Sequence, residues 1–174
     1  MNTKFVPFMS KFYTLFTYLL FLTLLVSCTR NDAQREFEQE AFSAPSNFTE
    51  TTSQNEVILV DKDDWRTSPL FQGLVTVIPP YPNPTTTDQL VQFHVDVTGV
   101  QSVSGLDVLV RLDDGTLRHL YDNFETLHTG YNDFRIDPIE FALNYNAEGA
   151  RGLHRVYIYD GNQRMISYGD IMVE

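Results

Sequence analysis

The chain has 174 residues, 12 Lys and Arg against 23 Asp and Glu, 43% hydrophobic residues and one cysteine. That gives room for one domain of ordinary size plus appendages, which excludes a large multidomain enzyme. The formal charge of −11 excludes DNA and RNA as partners, because phosphate binding needs clustered cations and those present are scattered among carboxylates.

The N-terminal stretch carries Lys4 and Lys11 and no acid, then an apolar run from Phe12 to Leu25 broken by Thr14, Thr17 and Thr23. As a helix this run reaches about 21 Å, short of the roughly 30 Å hydrocarbon core, so the layout is that of a signal peptide over residues 1–27. Leu25, Val26, Ser27 and Cys28 follow and resemble the bacterial lipobox. The resemblance implies that Cys28 is diacylated, becomes residue one after cleavage and is then often N-acylated with a palmitate-type chain, and that the mature protein is attached to a membrane of the cell envelope, with the outer membrane expected. Two or three acyl chains anchor stably where one does not. A signal peptide that merely contains a cysteine, and a short uncleaved anchor, are the alternatives. With Cys28 acylated no intramolecular disulfide can form, so the domain must be held by its core alone. Removing residues 1–27 takes away two Lys and leaves a mature charge of −13. Such a surface repels anionic headgroups, so attachment depends on the acyl chains.

From Thr29 to Glu56 there is no Val, Ile, Leu or Gly, and six acids stand against two Arg. This composition buries too little apolar surface to offset ordering entropy, so residues 28–56 read as a disordered acidic tether, about 26 to 32 Å in root-mean-square span. Within it, Ala33, Phe37 and Ala41 share a helical spacing that allows a short helix over Asn31 to Phe42.

Residues 57–69 form a charged lead-in: an apolar run from Val57 to Val60, then Asp61, Lys62, Asp63 and Asp64, ending near Trp65. From residue 70 to 174 strand-like runs alternate with turn signals. Phe71 to Ile78 is the first, and Leu90 to Val97 the clearest, with Val91, Phe93, Val95 and Val97 in one phase. Leu106 to Leu112 turns through Asp113-Asp114-Gly115 into Thr116 to Tyr121, an Asp-Gly hairpin signal. Phe134 to Phe141 is another strand, with Pro138 marking an edge or bulge. Leu153 to Tyr159 and Arg164 to Val173 flank a second hairpin at Asp160-Gly161-Asn162. About seven strands and no sustained helical period make the domain all-β, an immunoglobulin-like antiparallel sandwich. Pro79, Pro80, Pro82 and Pro84 lock φ and remove donors, which marks a rigid corner between the sheets.

Pro80-Tyr81-Pro82-Asn83-Pro84 just after a strand resembles the "YPNP" opening of immunoglobulin-like domains at the C-termini of Bacteroidota secreted proteins, the type IX secretion sorting domains, and of flagellar hook-capping proteins. Val108 to Arg111 before Asp114-Gly115, and Gly152 to Tyr157 before a terminal hairpin, fall in the same order. The resemblance covers roughly residues 70–174 and implies either a resident lipoprotein that uses this fold structurally or export cargo whose β domain is the sorting signal. Two departures favour the resident reading. Nothing of enzyme size stands before Leu70 within this sequence, and the last strand ends Gly169-Asp170-Ile171-Met172-Val173-Glu174 without a lysine.

Chemistry is sparse. His94, His119, His128 and His154 have no metal-motif spacing and are expected in solvent. No nucleophile elbow or phosphate loop is present, so the reading is a non-enzyme without a cofactor. The nearest thing to a metal site is Asp61, Asp63 and Asp64, three hard oxygen ligands in four residues, a weak calcium candidate because Trp65 and Arg66 break the EF-hand pattern. Arg155, Tyr157 and Tyr159 alternate with Val156 and Ile158 and so share one strand face. Turned outward, that stripe would contact an envelope protein or a glycan; turned inward, Tyr157 would be core.

Overall fold

A computed structural model describes residues 32–174. The signal segment, the lipobox residues Leu25, Val26 and Ser27, and Cys28 lie outside the described residues. In chain order the elements are a helix α1 over residues 32–41, then β1 (Glu50–Thr51), β2 (Val57–Leu59), β3 (Val75–Tyr81), β4 (Val91–Val97), β5 (Leu106–Arg111), β6 (Leu117–Asn123), β7 (Gly130–Ile136), β8 (Gly152–Tyr159) and β9 (Met165–Val173). Strands β3-β4-β7 form one antiparallel sheet and β6-β5-β8-β9 the other, while β1 and β2 make a separate small pair. The seven larger strands are the expected immunoglobulin-like sandwich.

The inner faces follow from the period-2 pattern. In β4 the residues Val91, Phe93, Val95 and Val97 are buried and the residues between them are not. Phe93 stacks on Phe134 at 5.1 Å, Tyr121 stacks on Phe134 from the facing sheet at 4.3 Å, and Trp65 meets Phe93 edge-on at 5.7 Å. Each such ring removed from water stabilises the fold by about 1.5 to 3 kcal/mol. Trp65 therefore folds inward from the charged loop, its backbone N–H donating to the Tyr168 carbonyl at 2.7 Å.

Strand limits differ from the sequence reading, most clearly in β3 and β7. Phe71 is buried but sits in a turn, where its carbonyl accepts from the N–H groups of Leu74 and Val75 at 2.9 and 3.1 Å, so β3 starts at Val75. The strand expected over Phe134 to Phe141 instead runs from Gly130 to Ile136, and it stops there because Pro138 opens a 3₁₀ turn (Pro138–Phe141) capped by the Asp137 side chain on the Ile139 N–H. In the Asp160 hairpin the positive φ falls on Gln163, at 61°. Gly161 serves closeness instead: a Cβ there would stand 2.0 Å from the Ser104 carbonyl oxygen.

The proline segment is the expected corner. After β3 the chain passes cis peptides at Tyr81-Pro82 and Asn83-Pro84 and leaves its sheet, and Thr85 bridges in parallel to Val173 of β9 in the other sheet. Asn83 is fully buried at this corner. Its Nδ2 donates to the Thr49 and Asp170 carbonyls at 2.8 and 2.9 Å, and its Oδ1 accepts from the Met172 N–H at 2.9 Å.

The tether reading of residues 28–56 is corrected over its described part. Helix α1 docks on the outer face of β8 and β9, with Gln34, Phe37 and Ala41 buried and Ala33 only half-buried. Phe37 lies 5.0 Å from the Tyr168 ring, and Arg66 joins Glu40 at 2.6 Å. The physical reason is that Tyr157, Met165 and Tyr168 project from that face and need cover. One phenylalanine, one alanine and several hydrogen bonds supply it, without any branched aliphatic residue. No helix among the described residues is long and apolar enough to cross a membrane.

Candidate functional site

The longest run of consecutive exposed large apolar side chains among the described residues starts as a hairpin. Thr52 closes it: its N–H donates to the Glu56 carbonyl at 2.9 Å and its hydroxyl accepts from the N–H groups of Gln54 and Glu56. Asn55 takes φ of 63°, a left-handed conformation that asparagine tolerates better than most side chains. The returning strand β2 pairs with β1 through Glu50 and Leu59 and through Thr51 and Val57. Among the described residues β2 has no partner on its other edge.

The residues on that strand, with Val60 just after it, are unusual for an unpaired edge. Val57, Ile58, Leu59 and Val60 are 47%, 60%, 60% and 65% exposed. Beside them runs a groove of about 290 Å³ whose walls include Phe48, Leu153 and Met172, with Asp61 at its rim. Four consecutive apolar side chains, an open backbone edge and a groove alongside make a surface that gains free energy when covered.

The ridge rests on a rigid polar base. Thr51 exchanges backbone hydrogen bonds with Asn83, and its hydroxyl donates to the Pro80 carbonyl at 2.7 Å. The Asp64 carboxylate accepts from the N–H groups of Thr49 at 2.7 Å and Asp170 at 3.0 Å, so it fastens the segment before β1 to strand β9. Burial, and then the nearby Asp170 carboxylate, push Asp64 up to about 7. Asp170 itself pairs with Arg155 through two hydrogen bonds, and burial raises it as well.

This geometry places the sequence candidates. Asp61, Asp63 and Asp64 do not converge: Asp64 points into the fold, and the Asp61 carboxylate accepts from the Asp63 N–H at 3.1 Å. Among the described residues no group of three His, Cys, Asp or Glu side chains could hold a metal ion. Arg155 and Tyr157 are buried and Tyr159 half-buried, because their stripe faces helix α1. Arg155 Nη1 donates to the Ala41 carbonyl at 2.8 Å, and Phe42 stacks on Tyr157 at 5.1 Å. Burial pushes the Tyr159 phenol up to about 12. The stripe is thus an internal seat for the helix and offers no open surface to a glycan or protein.

Two histidines also depart from the expected solvent positions. His154 is buried against Phe141, with Nε2 bonded to the Ala150 carbonyl at 2.8 Å, and burial holds its pKa below the ordinary imidazole range. His94 is bonded to both Asp133 and Tyr81. The ridge itself was missed as a site, although its signal is present: Val57 to Val60 is apolar without alternation, whereas a half-buried strand alternates.

No family model matches the sequence, and no curated protein matches it. Among solved structures the fold is similar to AA10A of T. fusca, with 11% identity over 52% of this chain and 51% of that one, at a TM-score of 0.36. It is also similar to the CARDB domain of the PF1109 protein from Pyrococcus furiosus, solved in complex with di-metal ions, with 16% identity over 57% of this chain and 84% of that one, at a TM-score of 0.34. The chain thus spans about half the length of the AA10A chain. At these values the likenesses carry no argument about activity.

Proposed function

We propose that the protein is a lipid-anchored component of a bacterial outer membrane whose sandwich is a non-catalytic module that holds another envelope protein. The observation that carries the reading is the ridge Val57 to Val60, apolar and solvent-facing on a strand with an open edge. Its occupant is an extended segment of a partner protein, which adds to β2 by main-chain hydrogen bonds and seats its side chains in the groove beside Phe48 and Met172.

Chain reach supports a protein over lipid as that occupant. Four residue steps from Cys28 to Asp32 span at most about 14 Å. The start of α1 is held near Met165, where Gln34 donates to the Met165 carbonyl, and the ridge groove lies beside Met172 at the other end of β9. Those ends are about 23 Å apart along the strand, farther than the chain before Asp32 can reach back to Cys28, which supports a ridge held off the bilayer. The packing of Phe37 and Trp65 with the sandwich supports the resident reading over the sorting-signal reading, since residues 32–69 and 70–174 share buried contacts.

Two measurements test this in the native cells. Cys28→Ala should move the protein from the membrane to the soluble fraction; retention of the full chain in the membrane would overturn lipid anchoring. A photo-crosslinking residue at position 58 should give one discrete adduct with an envelope protein, while the same residue at exposed position 113 gives none. Equal labelling at both positions, or none at 58, would overturn the ridge as the docking surface.

A further inference from the structure

The outer face of β3-β4-β7 carries a second constellation that uses none of the ridge residues. Strand register puts its side chains in three rows: Tyr81, Gln92 and Arg135; Ile78, His94 and Asp133; Thr76, Asp96 and Tyr131. Alternation forces this, because Val91, Phe93, Val95 and Val97 occupy the core phase of β4 and leave Gln92, His94 and Asp96 outward.

Three rings cross the rows diagonally. Tyr81 and His94 are stacked with centroids 5.3 Å apart, and Tyr131 meets His94 at 6.2 Å. Tyr131 is 68% exposed, so its ring face is open to a ligand. The polar groups around the rings are tied in place. His94 Nδ1 is bonded to Asp133 and Nε2 to the Tyr81 hydroxyl at 2.9 Å, while Arg135 Nε donates to Gln92 Oε1 at 2.8 Å. Side chains already fixed lose little rotamer freedom when something binds.

From this we infer that the outer face of β3-β4-β7 is a binding site for a neutral saccharide chain, with Tyr131 as the stacking platform and Asp133, Arg135 and Gln92 as partners for hydroxyl groups. A pyranose ring offers an apolar C–H face and a rim of hydroxyls that both donate and accept. Amphipathic rings flanked by donors and acceptors match both parts. Charge selects the class. The chain carries −11, yet the outward charges here are Asp96 and Asp133 against Arg135, so the face has no cluster of cations for phosphate and only one acid in excess, too little for a strong acidic field. Extent favours a chain: the groove lined by Tyr81, Gln92, His94, Asp133, Phe134 and Arg135 has a volume of about 570 Å³, and Tyr131 stands one row beyond it on the same face, so an occupant that fills the groove and also stacks on Tyr131 must extend past it.

The test uses the full protein purified from membranes in detergent and calorimetric titration with neutral hexasaccharides of glucose, N-acetylglucosamine, mannose and xylose. At least one should bind. Tyr131→Ala should weaken it about tenfold, the loss of one stacked ring, with unfolding temperature unchanged. Tyr131→Phe should retain binding, and Tyr145→Ala, an exposed ring elsewhere, should leave it unaffected. Absence of binding by every hexasaccharide at millimolar concentration would overturn the assignment. So would binding that survives Tyr131→Ala, or a Lys-rich peptide that binds this face where no saccharide does.

Discussion

The indole of Trp65 lies so close over Gly169 that a Cβ on that glycine would stand 2.3 Å from a ring carbon. The contact joins a loop before the first large strand to the middle of the last one, and it exists only because position 169 has no side chain. Gly169→Ala should therefore cost about 1 to 3 kcal/mol by overpacking and lower the thermal midpoint by several degrees. An unchanged midpoint in calorimetry would mean that the indole has room to retreat.

Helix α1 is part of the folded unit, so truncating its buried ring should register as a loss of stability. Phe37 is 6% exposed, and Phe37→Ala should destabilise by about 3 kcal/mol in urea unfolding. Glu36→Ala, on the exposed side of the same helix, should change it by less than about 0.5 kcal/mol. Equal effects from the two variants would return residues 32–41 to a free tether.

Asp64 makes stability depend on pH in an unusual direction. Its folded pKa is raised to about 7 by burial and by Asp170, whereas the unfolded carboxyl titrates near about 3.9. Between those values the folded chain holds a proton that the unfolded chain has released, so stability falls as pH rises from about 4 to about 7. Asp170, raised by burial, adds to this slope. His154, lowered by burial, opposes it, because below the ordinary imidazole range the unfolded chain binds the proton that the folded chain refuses. Asp64→Asn should remove the falling component in denaturant titrations at about pH 5 and about pH 8. Parallel profiles for the variant and the parent would refute the assignment.

The ridge should be dispensable for folding. Ile58 and Val60 are 60% and 65% exposed, so Ile58→Asp with Val60→Asp should leave stability within about 0.5 kcal/mol. A photo-crosslinking residue at position 57 should give the envelope-protein adduct in the parent and lose it in this double variant. A large fall in stability would show that the ridge packs against its own domain.

The sandwich was legible because its signals are local: alternation in Val91 to Val97, and Asp-Gly turns at Gly115 and Gly161. What escaped is non-local. Arg155, Tyr157 and Tyr159 announce a shared strand face, but the element that covers it is α1, more than a hundred residues away and free of Leu, Ile and Val. Asp64 looks like one more charge in an acidic loop until the chain brings Thr49 and Asp170 to its two oxygens. Tyr81, His94 and Tyr131 become neighbours only through the register of three strands, which no single run of sequence encodes.

The docking of α1 also has a mechanical meaning. A pull on the N-terminal side loads the helix first, where Phe37, the Arg155 bond to the Ala41 carbonyl and the Arg111 bonds to the carbonyls of Phe42 and Ser43 hold it. Deeper in, the backbone pairing of Thr51 with Asn83 and the Asp64 bond to Thr49 resist separately. The two sets share no residue, so the first can open while the second stays closed. Residues 32–48 would then span about 56 to 61 Å while both sheets stay closed, so the docked segment stores a length of chain that can be paid out without unfolding the sandwich.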